Sequence, residues 1–332
     1  MSARSRRHQH ALAILTVLLC LTGFAASPLR AQQAPPIWTQ PYGDIQTLVN
    51  NVRAGRDLTP KTWPNGGKVA VALSFDFDAE TLFLRAGQVS PQPLSRGEYG
   101  ARAAMPRIMA LLEKEKIPVS FFIPQVAAEL HPEEVDAILA SPLKHEIGVH
   151  GWVHEVLSSL TGDQERDLTN QAVEFWTKRL GHKPTGIRCP SWDFTRETLA
   201  LIKQHGFLYD SSLMADDRPY EIVEAGRPTG IVELPVEWIL DDFAYYSYDR
   251  PNFAYLRMSD EAVYQVYKAE FDKAYEEGTM FLLTMHPQIT GHRSRIVVLE
   301  RLVKYMKTKP GVWFATHEQV AKASAALLAT LR

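Results

Sequence analysis

The chain has 332 residues and a formal net charge of −2, from 36 Lys and Arg against 38 Asp and Glu. Its apolar content of 45% and charged content of 22% are those of a folded globular protein and exclude a largely disordered chain. Basic residues do not cluster beyond the extreme N-terminus, so the charge pattern argues against nucleic acid as a partner.

The first 31 residues predict an export signal. Arginines near the start precede an apolar stretch over 11–26, which has signal-peptide length and is too short for a comfortable membrane span. With cleavage after Ala31, the mature protein is expected to be periplasmic or secreted, without integral membrane association. The alternative is that 1–31 remains as an uncleaved anchor. Cys189 is then the one cysteine left, so the mature chain has no internal disulfide.

Residues 32–66 are rich in Pro, Gln, Asn and Gly and indicate a lead-in segment, with one short helix expected near 44–52. Strand-like and helix-like stretches alternate over 67–321, and 322–332 forms the end of a last helix. Short apolar runs predict strands at 69–75, 119–123, 146–149, 186–189, 231–236, 280–285 and 312–314. Amphipathic patterns and caps predict helices at 101–115, 163–180, from Thr195 to Gly206, from Ser259 or Asp260 to Gly278, and at 295–307 and 318–331.

This alternation predicts an α/β fold, a single domain with about seven parallel strands closed as a barrel. In parallel α/β folds, functional sites lie just past the carboxyl ends of the strands. Ionisable residues follow four of the predicted strands: Asp76 and Asp78 in SFDFDAET, His150 and His154 in HEIGVHGWVHE, Arg188 in RCPSWD, and His286 in TMHP.

The spacing of His150 and His154 is typical of metal ligands, because residues four apart share one face if the backbone turns helical. Two histidines and one of the two aspartates would hold a divalent ion with an open face, which is the arrangement of a catalytic site. The other aspartate would serve as a general base. Each residue alone has an ordinary structural explanation, and their joint occurrence at successive strand ends favours the site.

With these motifs in order, the chain from about residue 67 to 321 resembles the polysaccharide deacetylases, the NodB-homology group or carbohydrate esterase family four. It is most similar to the subgroup of peptidoglycan deacetylase-like and metal-independent allantoinase-like proteins, through GFLYDSSLMADDRPYE, ELPVEW and GVWFATHEQVA. The resemblance implies a distorted (β/α) barrel and metal-dependent removal of acetyl groups from acetylated sugars. It also implies that Asp78, His150 and His154 bind the metal, which we expect to be Zn²⁺.

The same resemblance implies that Asp76 is the catalytic base, that Arg188 holds this base, and that His286 is the general acid. The chain departs from the common family motif because Phe77 separates two aspartates that are usually adjacent. Strand alternation keeps both acids on one side and turns Phe77 away. The oxyanion amide is placed near Ser191, and a partner for His286 is not assigned, Asp216 and Asp217 being considered without a choice.

Further expectations concern the substrate groove. Trp152, Trp192 and Tyr220 would form an apolar wall against a sugar face, or else pack in the core. The aromatic and acidic stretch 240–249 would shape the groove or form a lid.

Three alternatives to the deacetylase remain. Hydrolysis of a cyclic ureide or imide would use the same fold and nearly the same residues. A non-heme iron oxygenase uses two histidines and a carboxylate but commonly an all-β fold. An inactive glycan-binding module would be expected to lose some of the site residues. A glycan is the expected partner, and the oligomeric state is left open.

Overall fold

The structure, a computed structural model, describes residues 36–246 and 258–330. The predicted export signal and the last part of the 240–249 stretch lie outside this range. From residue 46 onward the chain forms one compact unit, and the residues before it belong to a separate one that contains a short turn at Ile37–Thr39. Among the described helices, none combines the length and the apolar character needed to cross a membrane.

One mixed sheet contains the strands of the described chain. They are β1 (Val52–Asp57), β2 (Val69–Asp76), β3 (Ser120–Ile123), β4 (Glu146–Val149), β5 (Gly186–Ile187), β6 (Tyr209–Asp210), β7 (Tyr220–Glu224), β8 (Arg227–Glu233), β9 (Met280–Met285) and β10 (Val312–Ala315). All seven predicted strands are therefore present. The lead-in segment supplies β1, where a helix alone was expected.

The sheet curls into a distorted barrel. Within the described residues, parallel pairing runs through β9, β2, β3, β4, β5, β6 and β8, and an isolated bridge between Asp241 and Thr284 brings the segment after β8 back to β9. Seven parallel strands of the described chain thus form the ring of the barrel, as expected, but the membership differs, since β10 is an eighth parallel strand outside this ring. The two-residue β6 was not predicted, and β10 pairs only with the first half of β2. The hairpin β7–β8 and β1 extend the sheet in antiparallel fashion.

Helices cover the outside and one end of the barrel. They are α1 (Tyr42–Val49), α2 (Thr81–Leu84), α3 (Pro91–Tyr99), α4 (Met105–Glu115), α5 (Gln125–Leu130), α6 (Pro132–Ala140), α7 (Gly162–Leu180), α8 (Arg196–His205), α9 (Asp242–Tyr246), α10 (Asp260–Glu277), α11 (Pro287–Thr290), α12 (Arg295–Lys307) and α13 (His317–Thr330). The predicted caps Thr195 and Ser259 accept backbone N–H groups at the starts of α8 and α10. A π-helical turn at Gly100–Ala104 replaces the expected start of α4.

Strand β2 sets the position of the site through its alternation. Val69, Val71, Leu73 and Phe75 pack in the main core beneath the helices, whereas Ala70 and Ala72 belong to a second cluster inside the barrel. The alternate residues that follow on the inner side are Ser74 and Asp76. Phe77 returns to the main core, as the period of two predicts, so both aspartates of SFDFDAET reach the barrel interior.

Candidate metal centre and active site

The end of β2 and the loop after β4 bring Asp78, His150 and His154 together. Their candidate ligand atoms all lie within 4.8 Å of one another. Asp78 Oδ1 is 3.5 Å from His150 Nε2 and 3.6 Å from His154 Nε2, and all three side chains are buried. His150 Nδ1 is 2.7 Å from the carbonyl oxygen of Arg188. This contact assigns the proton to Nδ1 and turns the lone pair of Nε2 toward Asp78.

These three residues fit a divalent metal ion. Among the described residues, both Asp78 oxygens and His150 Nε2 are buried without a hydrogen-bond partner. Burial raises the pKa of Asp78 to about 8, against the attraction of His286 and with the repulsion of Asp76. Burial also lowers the pKa of His150 to about 4 and that of His154 well below its usual value, which keeps both rings neutral. A buried carboxylate facing two neutral imidazoles is a costly arrangement that a cation relieves.

The loop after β4 reaches this geometry without the helical turn that the prediction from spacing had set as its condition. Gly151 and His154 have φ of +71° and +60°. The buried carboxylate of Glu155 accepts two backbone N–H groups of the same loop at 3.0 and 2.8 Å. A Cβ at Gly151 would lie 2.8 Å from Pro190 Cγ, so glycine is required here by both conformation and space. The tight loop, rather than helical spacing, aims both histidines at Asp78.

Asp76 is held by Arg188, which is fully buried inside the barrel. Asp76 Oδ1 accepts from Arg188 Nη1 at 2.6 Å. The other donors of the guanidinium go to Ser74 Oγ at 2.9 Å, to the carbonyl oxygen and Oγ of Ser211 at 3.1 and 3.0 Å, and to His317 Nε2 at 3.1 Å. All five N–H donors of Arg188 are therefore paired.

A chain of hydrogen bonds continues from Arg188 through the barrel interior. Since His317 Nε2 accepts from Arg188, the proton of this ring lies on Nδ1, which donates to Ser120 Oγ at 3.0 Å. Ser120 Oγ donates in turn to Glu146 Oε2 at 2.6 Å. Burial and the charge of Arg188 hold the pKa of His317 well below its usual value, so the ring is neutral. His317 lies in GVWFATHEQVA and was not among the residues predicted for the site.

His286 lies across the cleft from the metal ligands, with Nε2 3.8 Å from Asp78 Oδ2. Its Nδ1 is 2.7 Å from Asp242 Oδ1, and its backbone N–H donates to Asp242 Oδ2 at 2.9 Å. Asp241 Oδ1 is 3.7 Å from the same Nδ1. Although burial opposes the charged ring, Asp241 and Asp242 raise the pKa of His286 well above its usual value.

The partners of His286 are therefore Asp241 and Asp242, which were expected only to shape the groove. Asp216 and Asp217 are exposed and line a different cavity. The signal available in the sequence was the acid pair in LDDF, a few residues beyond the predicted strand 231–236. The bridge between Asp241 and Thr284, which joins two distant segments, makes the pairing visible.

An open cleft of about 540 Å³ contains Asp76, Asp78, His154 and His286. One side is aromatic, formed by Trp192, Trp238 and Phe243, and the rings of Trp192 and Trp238 are 4.2 Å apart. Of the residues expected in an apolar wall, Trp192 lines the cleft, whereas Tyr220 is 1% exposed and packs in the main core, the other role considered for it. Trp152 is not among the lining residues.

Non-glycine residues with a left-handed backbone surround this cleft. They are Ala79, His154, Ser191 and Trp192, with φ of 49°, 60°, 54° and 58°. Such conformations are uncommon for residues with a Cβ and persist where surrounding structure enforces them. Their positions beside Asp78 and in the RCPSW turn show that strain is concentrated at the site.

The third acid of SFDFDAET is not part of this group. Glu80 Oε2 is 2.6 Å from His131 Nε2. Burial of the ring opposes its charge, but Glu80 raises the pKa of His131 above its usual value. Glu80 is therefore hydrogen-bonded to an ion-pair partner, whereas neither oxygen of Asp78 has a hydrogen-bond partner among the described residues.

The fold and the site define a hydrolase: a buried carboxylate and two neutral histidines lie beside a second carboxylate at the carboxyl end of a parallel barrel. The model of the polysaccharide deacetylase family matches residues 67–209. A peptidoglycan deacetylase from Helicobacter pylori is 30% identical over 283 residues, covering 76% of this chain and 95% of that protein. The chain belongs to the polysaccharide deacetylase family.

Other relatives agree with this assignment. A crystal structure described as a polysaccharide deacetylase from Mycobacterium smegmatis is 32% identical, with a TM-score of 0.74, and covers 83% of this chain and 96% of that one. The structure of the Puue allantoinase, at 24% identity and a TM-score of 0.70, covers 82% of this chain and 98% of that one. The likeness to the allantoinase is one of fold.

Proposed function

We propose that the chain is an exported, metal-dependent deacetylase that removes acetyl groups from N-acetylated sugars of a cell-envelope polysaccharide or peptidoglycan. The observation that carries this proposal is the meeting of Asp78, His150 and His154 beside an Asp76 that Arg188 holds in place. The Helicobacter pylori relative, which is named a peptidoglycan deacetylase, supports the substrate class. The apolar stretch over 11–26 supports export.

Asp78, His150 and His154 would hold the metal, and Zn²⁺ suits one carboxylate and two imidazoles. When bound, such an ion acidifies a water molecule and polarises the acetyl carbonyl. The carbonyl oxygen of Arg188 fixes the ring of His150 for this task.

Asp76 takes the proton of the attacking water. Its Oδ1 is held by Arg188, and its Oδ2 lies 3.8 Å from His150 Nε2, so the second oxygen faces the metal ligands. The 2.6 Å bond from Arg188 Nη1 fixes the direction of the Asp76 carboxylate. In the RCPSW turn, the amides of Trp192 and Asp193 donate within the turn, so the amide of Ser191 is assigned to the oxyanion.

His286 protonates the departing nitrogen. The C–N bond of the acetamide breaks as the water oxygen bonds to the acetyl carbon, and the products are acetate and the free amine. Asp242 accepts a hydrogen bond from Nδ1–H of His286 and, with Asp241, stabilises the protonated ring. Nε2 then carries the proton that is donated.

Acetate release from purified residues 32–332 tests the proposal. N-acetylglucosamine oligomers and peptidoglycan are the substrates, before and after chelation, with zinc added back. Acetate that disappears with chelator and returns with zinc is the expected result. A metal-loaded protein that releases no acetate would favour the cyclic ureide or imide hydrolase, and a protein that binds no metal would refute the site.

N-terminal sequencing of the protein from the cell envelope or medium tests export, and a chain beginning at Met1 would contradict cleavage.

A further inference from the structure

Arg85 differs from the other charged residues of the cleft because it has no anionic partner within the described residues. It lines the cleft together with Asp76, Asp78 and His286. Its Nε is buried without a hydrogen-bond partner, and no described carboxylate forms an ion pair with its guanidinium within 4.0 Å. Its one side-chain contact of this kind is from Nη1 to Ser191 Oγ at 3.0 Å.

The charge of Arg85 is poorly compensated. Burial lowers the pKa of Arg85, and the acids that oppose this effect, Asp78 and Asp193, act from a distance. In the proposed function, Asp78 is a metal ligand, so its charge would be shared with a divalent cation. The metal-loaded cleft would then hold a partly desolvated guanidinium with even less negative charge nearby. In Arg188, by contrast, all five donors have acceptors within the chain, so this arginine has a purely internal role.

The contact with the Ser191 turn does not by itself explain why residue 85 is an arginine. One neutral donor would suffice for the bond to Ser191 Oγ, without the cost of desolvating a charge. The planar fork of a guanidinium matches a carboxylate, to which it donates two parallel hydrogen bonds. Arg85 lines the cleft, and its Nε has no acceptor among the described residues, so its guanidinium is not fully used by internal bonds as that of Arg188 is.

We propose that Arg85 is a specificity-determining residue that binds a carboxylate of the substrate close to the acetamido group being cleaved. This inference rests on the proposed deacetylase function and names its substrate class: an anionic N-acetylated glycan is preferred over a neutral one. The carboxylate has two possible sources in peptidoglycan. One is the lactyl group of the muramic sugar after its peptide has been removed, and the other is the peptide itself.

The test compares kcat/KM on three substrates of matched length: neutral N-acetylglucosamine oligomers, glycan strands stripped of peptide, and strands that carry peptide. The quantity of interest is the ratio of each anionic strand to the neutral oligomer. Hydrogen bonds to charged groups imply that Arg85→Gln lowers this ratio by about tenfold to a hundredfold. A lower ratio for stripped strands would identify the lactyl carboxylate as the group that Arg85 binds. A lower ratio for peptide-bearing strands alone would identify a carboxylate of the peptide.

Three variants control the result. Arg85→Lys keeps the charge without the fork and should restore part of the ratio. Ser191→Ala removes the internal bond of Arg85 alone and should leave the ratio high. Arg102→Gln removes an exposed positive charge outside the cleft and should leave the ratio unchanged. An equal fall with Ser191→Ala and Arg85→Gln would mean that Arg85 merely supports the turn, and the inference would be wrong.

Binding provides a second readout that does not depend on turnover. Chemically deacetylated strands, as products, should bind the metal-loaded wild type more tightly than Arg85→Gln, and this difference should shrink with added salt. A wild type without preference for either anionic strand would overturn the inference while leaving the deacetylase intact. Acetate from none of the three substrates would instead refute the proposed function.

Discussion

Two polar groups share the rim of the barrel and differ in how completely they are paired. Around Arg188, every guanidinium donor has an acceptor, and the chain of bonds continues through His317 and Ser120 to Glu146. Around Asp78, both carboxylate oxygens lack a hydrogen-bond partner among the described residues. The first group is complete within the chain, whereas the second is the one that a cation would complete under the proposed function. The comparison indicates that the proposed base is rigidly prepared before metal binds.

The largest effect should follow from changing the incomplete group. Asp78→Asn is expected to abolish metal binding and to lower acetate release by more than about a thousandfold, because the variant loses the ion's contribution to the barrier. Metal content and acetate release measure this.

Without metal, the raised pKa of Asp78 implies that the wild type loses stability as the pH rises toward about 8. The metal-free variant should therefore unfold at a higher temperature than metal-free wild type at pH 8. A lower one would contradict the idea of an uncompensated carboxylate.

His286 should come next. His286→Ala is expected to lower kcat by about 10²–10⁴-fold with metal still bound, since a general acid contributes on this order. Asp242→Asn leaves the ring but removes its partner, so its loss should be smaller. The wild type should keep its activity into alkaline pH, because the pKa of His286 is raised, and Asp242→Asn should bring the alkaline decline to lower pH. An unchanged kcat in His286→Ala would exclude its role as acid.

A smaller effect is expected inside the complete group. His317→Ala leaves one Arg188 donor unpaired, and an unsatisfied charged donor implies a loss of about tenfold to a hundredfold in kcat. Metal content should not change. His317→Gln supplies a carbonyl acceptor and should recover part of the loss. Loss of metal in this variant would point to general misfolding instead.

The smallest effect concerns Glu80, which resembles Asp78 in sequence but is paired with His131. Glu80 raises the pKa of His131, so this pair stabilises the fold fully below pH 6.5 and ceases to do so as the pH rises through the folded-state pKa. Glu80→Gln should lower the free energy of unfolding by about 1 kcal/mol at pH 6 and by less at pH 9. Chemical unfolding at both values measures this difference, and metal binding should persist.

The sequence predicts those parts of the molecule that depend on local pattern. The strands of the barrel rich in Val, Ile and Phe, the caps of α8 and α10, and the inward direction of both aspartates all follow from periodicity or capping chemistry. The two-residue β6 has no periodicity to detect, and β1 is mostly exposed. Both become strands through pairing with distant partners.

The site divides along the same line. Asp78 and His150 lie within two residues of the ends of β2 and β4, so the topology brings them together, and the tight loop after β4 adds His154. Asp242 lies several residues past β8, and its contact with His286 depends on how that segment returns to β9. His317 begins α13 just after β10 and reaches Arg188 inside the barrel. Arg85 follows α2, away from any strand end. Contacts of this kind arise from tertiary packing, which the spacing of residues does not encode.

The left-handed backbone at Ala79, Ser191 and Trp192 also bears on how this enzyme would respond to engineering. Left-handed geometry disfavours an L-residue by roughly 1–2 kcal/mol, which glycine avoids. Ala79, fully buried directly after Asp78, is thus a position where thermal resistance and catalytic power are set against each other. Glycine there would remove the strain but also free the chain on which the metal ligand sits. Selection for heat tolerance should therefore favour glycine at position 79, and selection for turnover should favour alanine there.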